Sequence, residues 1–245
     1  MKKIFILILG VVLVITVSAQ QDPQFSQNMF NKLANNPGFA GSRGNIATSV
    51  LHRSQWMGFE GAPKTQNFSI DAELPFLHGG VGLNIVKDEI AQQNSLGLQA
   101  IYAYRTELGV GQIGMGMSVG MYQSGVNGVA FTFATPGDNA IPTGSVSGSK
   151  LDIGAGIYYN TQDIYIGISS SHMTEPVVEW SDGAKYPLAR HYFLIAGYYN
   201  ELNPLLSLNP SIYLKSDGAT SQLDINTNLI YNNKMWGGVS YRLDE

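Results

Sequence analysis

Four histidines are the main candidates for metal chemistry, because the chain contains no cysteine. They stand at His52, His78, His172 and His191. Metal-binding histidines commonly recur at short spacings such as His-x-His or His-Glu-x-x-His, which bring neighbouring side chains to one ion. No pair here has such a spacing. The sequence therefore predicts no metal site.

A serine-rich stretch beside a histidine, GISSSH at 167–172, has the residue types of a hydrolase. Such enzymes hold a serine against a histidine, often in a G-x-S-x-G turn between a strand and a helix. No such turn occurs, and strand alternation would place Ser169 and Ser171 on one interior face. We predict small interior residues here, and neither catalytic residues nor a cofactor.

Aromatic and charged residues in two links between predicted strands are the better functional candidates. The candidate partner contacts are Arg53, Gln55, Trp56, Phe59, Phe131 and Phe133. The first four could equally be a tryptophan and an arginine at a membrane rim, and both interpretations stay open. The two later phenylalanines lie in a link, 123–149, with one charged residue, Asp138. They could anchor a partner or fold into the mouth of a barrel.

Apolar residues recur at every second position along much of the chain. This period predicts the strands that position the candidate residues. In IGMGMSVGMY at 113–122, Ile, Met and Val point to one face and mainly Gly and Ser to the other. The second face carries no charge, which suits a crowded barrel interior better than the solvated face of a sandwich. Such runs are about nine to eleven residues long, enough for a tilted strand to cross hydrocarbon.

Eleven runs of this kind are predicted strands. They are 44–53, 64–74, 79–87, 94–104, 112–122, 150–160, 163–171, 189–199, 205–215, 222–231 and 235–242. The links between them alternate, with longer ones at 54–63, 88–93, 123–149, 172–188 and 216–221. This alternation is typical of long outside loops and short periplasmic turns. The predicted fold class is all-β: a transmembrane antiparallel up-and-down β-barrel of the outer-membrane type.

The strand number is odd, whereas bacterial single-chain barrels have even numbers of strands. An open sheet edge in lipid would leave backbone groups unpaired. We therefore expect either a missed strand or a C-terminally incomplete chain.

Charge and composition limit the classes of partner that the chain can bind. Charged residues make up 13% of the chain, against about 25% in a soluble domain. Without Lys2 and Lys3 there are 12 basic and 18 acidic residues. An acidic chain of this kind argues against a nucleic-acid partner, which needs a basic surface.

The sequence predicts three parts of the chain. Residues 1–19 have the basic, apolar and small-residue succession of a signal peptide cleaved after Ala19. Residues 44–245 form the predicted barrel. Between them, 20–43 is predicted to be a periplasmic segment or a plug, because its apolar residues need a surface to bury against. These candidate plug residues are Phe25, Phe30, Leu33 and Phe39.

Several motifs resemble one family. QDPQFSQ at 21–27 and NPGFAGS at 36–42 are similar to the opening of the PorP/SprF family. RSQWMGFEGAPKTQNFSID at 53–71 and NNKMWGGVSYR at 232–242 extend the resemblance over the mature chain. Family members usually continue past the last of these strands. The resemblance implies an outer-membrane protein of type IX secretion and gliding in Bacteroidota.

The resemblance also implies a role and partners. Such proteins are non-enzymatic and help export or attach a secreted, adhesin-like surface protein together with other type IX secretion components, in contact with outer-membrane lipid. The alternative is a porin-like diffusion channel. A channel should line its lumen with charges, whereas the predicted interior face is mostly Gly, Ser, Asn and Tyr.

Overall fold

The computed structural model describes residues 22, 23, 25, 27–128, 144–232 and 234–243. The predicted signal peptide and its cleavage site lie outside the described residues, and so do Phe131 and Phe133. No helix in these ranges is long and apolar enough to cross a membrane.

Antiparallel strands dominate the described residues. They are β1 (Ala47–Ser54), β2 (Lys64–Leu74), β3 (Gly79–Ile90), β4 (Gln93–Leu108), β5 (Gly111–Asn127), β6 (Ser145–Asn160), β7 (Ile164–Ser171), β8 (Val177–Glu179), β9 (Lys185–Pro187), β10 (His191–Tyr198), β11 (Asn200–Asn203), β12 (Leu206–Ser216), β13 (Ser221–Tyr231) and β14 (Met235–Leu243). The main sheet has twelve of them, in the order β1-β2-β3-β4-β5-β6-β7-β10-β12-β13-β14, with β11 also paired to β12.

The predicted all-β, antiparallel up-and-down arrangement is confirmed. Eleven strands follow one another along the sheet in chain order, and β11 continues β10 against the same partner. The prediction of 88–93 as one of the longer links is wrong, because β3 and β4 are joined by a turn at 91–92. The strands run on into polar residues, since backbone pairing does not require apolar side chains. The β8–β9 hairpin within the predicted link 172–188 was also missed.

Closure of the sheet is not detected. Within the described residues β1 pairs only with β2 and β14 only with β13. In an antiparallel order, successive links nevertheless alternate between the two ends of the sheet. We call the end with links 55–63, 91–92, 128–144, 172–190 and 217–220 the long-loop end. The opposite end, with links 75–78, 109–110, 161–163, 204–205 and 232–234, is the short-turn end.

The two faces of the sheet differ as the alternation predicts. On β5, Met115, Met117, Val119 and Met121 are exposed, whereas Ser118 between them is buried. On β2 the buried side chains are polar, including Thr65, Asn67, Ser69 and Asp71. The outer face is therefore apolar, whereas the buried interior face mixes polar residues with aromatic ones such as Tyr158 and Phe193. A soluble sheet would instead expose its polar face.

Short helical turns ahead of β1 occupy the interior face. They are a 3-10 turn at Asn28–Phe30, the one-turn helix α1 (Lys32–Asn35) and a 3-10 turn at Pro37–Phe39. Asn36 ends α1 and caps the next turn, because its side-chain oxygen accepts a hydrogen bond from the Gly38 amide at 2.8 Å. Pro37 at the first position then suits a turn start, where no amide donor is needed.

Candidate functional site

Residues 22–43, here called the interior segment, cross the sheet from one end to the other. Asp22 lies beside Ser171 and His172 at the long-loop end. Gly41 lies beside Asp71 at the short-turn end. Side chains from β2, β7, β12 and β13 all hydrogen-bond to the segment between these points. The sheet must therefore curve around it.

Asp22 is held by several groups at the long-loop end, which together form the Asp22 cluster. The His172 ring lies between two carboxylates, with Nε2 at 2.7 Å from Asp22 Oδ1 and Nδ1 at 2.9 Å from Asp152 Oδ1. Ser171 donates to Asp22 Oδ2 at 3.1 Å. Lys215 Nζ donates to the Asp22 carbonyl at 2.6 Å. Two anions are thus matched by a lysine and a protonated imidazole.

The titration of this cluster follows from its charges. Burial alone would raise the pKa of Asp22, but His172, with His191 and Lys215, more than offsets it and holds that pKa far below its usual range. Burial alone would lower the pKa of His172, but Asp22 and Asp152 raise it to about 10. The His172–Asp22 pair is therefore ionised at neutral pH.

A chain of side-chain hydrogen bonds joins the Asp22 cluster to the middle of the segment. Asn31 donates to Asn67 at 2.6 Å, Asn67 to Asn84 at 2.7 Å, and Asn84 to Gln99 at 3.4 Å. Gln99 donates to Asp152 at 3.1 Å, and Asp152 bonds to His172. We call this chain the polar belt.

The polar belt crosses β5 at Gly120. This residue pairs with Gln99 on one side and with Asp152 on the other. Because glycine has no side chain, Gln99 can reach over β5 to Asp152. The belt therefore depends on a residue that makes none of its hydrogen bonds.

A second anchor lies at the short-turn end. Asp71 accepts a hydrogen bond from the Gly41 amide at 3.0 Å and pairs with Arg43 at 3.3 Å. Arg105 donates to the Gly38 carbonyl at 3.3 Å. The segment is thus tied to the sheet at both of its ends, by charge-assisted hydrogen bonds that are stronger than neutral ones.

Between the anchors the backbone of the segment lies directly on strand glycines. A side chain at Gly116 would meet the Pro37 carbonyl, and one at Gly156 would meet the Asn36 side chain. Asn36 in turn donates to the Ile157 carbonyl at 3.0 Å. The glycines of the interior face thus provide the space that the segment occupies.

The structure also brings together histidines that are distant in sequence. Ligand atoms of Asp22, His172 and His191 lie within 4.8 Å of one another. At 2.7 Å, however, Asp22 Oδ1 and His172 Nε2 are hydrogen-bonded to each other, which leaves no room for an ion between them. His191 Nδ1 lies 3.0 Å from the Ala189 carbonyl. In this arrangement the group is a hydrogen-bonded cluster.

A family model for the type IX secretion system membrane protein PorP/SprF matches residues 17–245. The chain belongs to the PorP/SprF family. It is therefore a type IX secretion membrane component, and the resemblance predicted from its motifs is confirmed. No curated protein matches the chain.

In this PorP/SprF chain the four predicted plug residues all belong to the interior segment. Phe25, Leu33 and Phe39 are 8%, 2% and 7% exposed. Phe39 meets the Tyr158 ring edge-on at 5.1 Å between centroids. Phe30 is 39% exposed and meets Trp236 of β14 with tilted rings at 4.3 Å between centroids. This burial is what a plug requires, and closure of the interior stays a prediction.

The predicted partner contacts separate into two groups. Trp56 and Phe59 are 70% and 77% exposed in the 55–63 loop, next to Gln55. Arg53 lies opposite Thr65 on the interior face and is only partly exposed. Arg53 therefore faces the interior, whereas the two rings lie in the exposed loop.

Sequence reasoning did not identify the Asp22 cluster or the polar belt as sites. Strand alternation did place two of their members, Asp152 and Lys215, on the interior face, and both are buried there. Their partners could not be read, because Asp22 and His172 are 150 positions apart. A polar residue opposite an apolar face is the one local signal for them.

Proposed function

We propose that this PorP/SprF chain is a non-enzymatic outer-membrane component that helps export or attach an adhesin-like surface protein. The observation that carries the proposal is the interior segment, which lies along the interior face and is tied to the sheet at both ends. A pore needs a continuous aqueous path. The cavity between Asp22, Phe25, Gln99 and Tyr122 has only about 70 Å³, room for a few water molecules.

The surface for the partner is proposed to be the 55–63 loop at the long-loop end. The Gln55 amide donates to the Pro63 carbonyl at 3.0 Å, and the Ala91 amide donates to the Gly61 carbonyl at 2.8 Å. Trp56 has a positive φ of 47°. These bonds hold the loop in one shape, which lowers the entropy lost when exposed aromatic rings bind a partner.

Co-purification tests this proposal. The tagged chain would be isolated from its native outer membrane, and bound proteins identified by mass spectrometry. We expect a large surface protein with the wild type and its loss with Trp56→Ala/Phe59→Ala. The matched control is Phe76→Ala, a 75% exposed ring at the short-turn end. Equal recovery of the surface protein with the double variant would contradict the proposed surface.

The outer-membrane location is proposed together with cleavage after Ala19, which fits the predicted signal peptide. Intact-mass analysis of protein extracted from outer membranes should give a chain starting at Gln20. A mass that still includes Met1 would contradict the cleavage.

A further inference from the structure

A second cavity, of about 250 Å³, opens at the short-turn end, away from the Asp22 cluster and the 55–63 loop. The interior segment forms one side of it, and the β6–β7 turn and neighbouring strands form the other. Its apolar and aromatic walls include Phe39, Ile164, Tyr165 and Tyr199, and its charged groups are Lys32 and Arg43.

Lys32 is the unusual member of this cavity. It belongs to α1 and is only 8% exposed. Its Nζ lies 3.3 Å from the centre of the Tyr165 ring, with Phe39 and Tyr199 about 6 Å away. Within the described ranges Lys32 has no carboxylate within 4.0 Å. Arg43, by contrast, pairs with Asp71 at 3.3 Å.

A buried ammonium group without a carboxylate is rare, because lysine is almost never fully buried unless it is paired. A tyrosine face compensates only part of the lost hydration. Of the two charged groups that line the cavity, Lys32 is therefore the one without a described counter-ion.

Titration supports the same view. Burial, with a further contribution from Arg43, lowers the pKa of Lys32 to about 7. The lysine is therefore only partly charged at neutral pH. An arriving carboxylate would favour the charged form and complete the pair.

We propose that this cavity binds a carboxylate carried by a peptide segment of a partner protein at the short-turn end, with Lys32 as its counter-ion. The apolar walls favour a peptide over a free anion. The Phe39 and Tyr165 rings lie beside the ammonium group, so the carbon atoms next to a carboxylate would be buried together with it. This proposal does not depend on which protein binds at the long-loop end.

The test uses the full chain in detergent micelles and three dansyl-labelled tripeptides. Gly-Phe-Asp-amide offers a side-chain carboxylate, Gly-Phe-Gly offers a C-terminal carboxylate, and Gly-Phe-Asn-amide is neutral. We expect at least one acidic peptide to bind about tenfold or more tightly than the neutral one. Which acidic peptide binds identifies the source of the carboxylate. Equal binding of all three, or no binding of either acidic peptide, would overturn the proposal.

Two lysine variants show whether the selectivity belongs to Lys32. Lys32→Met should abolish it, whereas Lys234→Met, an exposed lysine at the same end, should retain it. Retained selectivity in Lys32→Met would contradict the assignment. Inorganic phosphate that displaces the acidic peptide at equal concentration would show a small-anion site instead.

A measurement on the wild type guards against a variant that does not fold. Acetic anhydride acetylates neutral amines, and the extent of reaction at Lys32 can be followed by mass spectrometry. The acidic peptide should slow acetylation at Lys32 without changing the rate at Lys234. The neutral peptide should change neither rate. Equal rates at Lys32 with both peptides would contradict the proposal.

Discussion

The hydrogen bonds of His172 link the interior segment to the sheet through two carboxylates. Removing one partner from a buried ion pair leaves the other charge uncompensated, at a cost of roughly 3–5 kcal/mol. His172→Gln would leave Asp22 and Asp152 without their shared cation. We expect the segment to detach locally, seen as faster proteolysis within 22–43. His52→Gln, an exposed histidine on β1, is the control, and equal cleavage of both variants would contradict the link.

The contribution of His172 should depend on pH. The unfolded-state pKa of histidine is about 6.5, and the folded-state pKa of His172 is raised to about 10. Its stabilisation is therefore complete below about pH 6.5 and is lost as the pH rises through about 10. Asp22 has a lowered pKa, so the stabilisation that its carboxylate contributes is lost when the pH falls below about 4.

Unfolding in detergent, compared between wild type and His172→Gln, measures this dependence. The difference in unfolding free energy should be largest near pH 5–6 and should shrink steadily towards pH 10. A difference that grows between pH 6 and pH 9 would have the wrong sign for a raised histidine pKa.

Residue types allowed part of this site to be predicted. The need of Phe25, Leu33 and Phe39 for burial was evident from their side chains. The hydrogen-bond partners of Asp22 and Asn31 could not be predicted. They depend on the register between strands that are distant in sequence, which the local sequence does not report. The spacing rule for histidines also missed the approach of His172 to His191, whose ring centroids lie 6.1 Å apart.

At the scale of the strand, the exposed face of β5 should meet hydrocarbon. Met117 is 58% exposed near the middle of the strand. Met117→Arg should destabilise by roughly 2–4 kcal/mol at the bilayer midplane, whereas Ile113→Arg near the strand end should cost about 0–1 kcal/mol. Urea titration of protein folded into lipid vesicles measures both. Equal costs would show that depth in the bilayer does not distinguish these positions.

The two ends of the sheet should lie on opposite sides of the membrane. Ser181, in the β8–β9 hairpin, is exposed at the long-loop end, and Gln162 is exposed at the short-turn end. The chain has no cysteine, so Ser181→Cys and Gln162→Cys each introduce a single thiol. A membrane-impermeant thiol reagent on intact cells should label Ser181→Cys alone. Labelling of Gln162→Cys to the same extent would contradict the orientation.

Period-two alternation identified the strands and their facing because one face is apolar throughout. It did not identify the ends of β3, β4 and β5, which extend past the apolar band. There the backbone pairing of β3 with β4 continues through polar residues as far as the turn at 91–92. Side-chain patterns report burial, whereas backbone pairing continues wherever two strands stay adjacent.

At the scale of the whole molecule, the chain is a curved antiparallel sheet built around its own N-terminal segment. The segment is anchored at Asp22 and at Gly41–Arg43, and the polar belt supports its middle. We propose that a sheet of this kind, in a type IX secretion membrane component, holds a partner and does not pass solutes.

Single-channel recording in planar bilayers tests this most directly. On the proposal that the interior segment closes the path, protein purified from native outer membranes should show no steady conductance. Asp22→Asn/His172→Gln should open intermittently, because its long-loop anchor is lost. A large, steady conductance from the wild type would contradict the account and favour a diffusion channel.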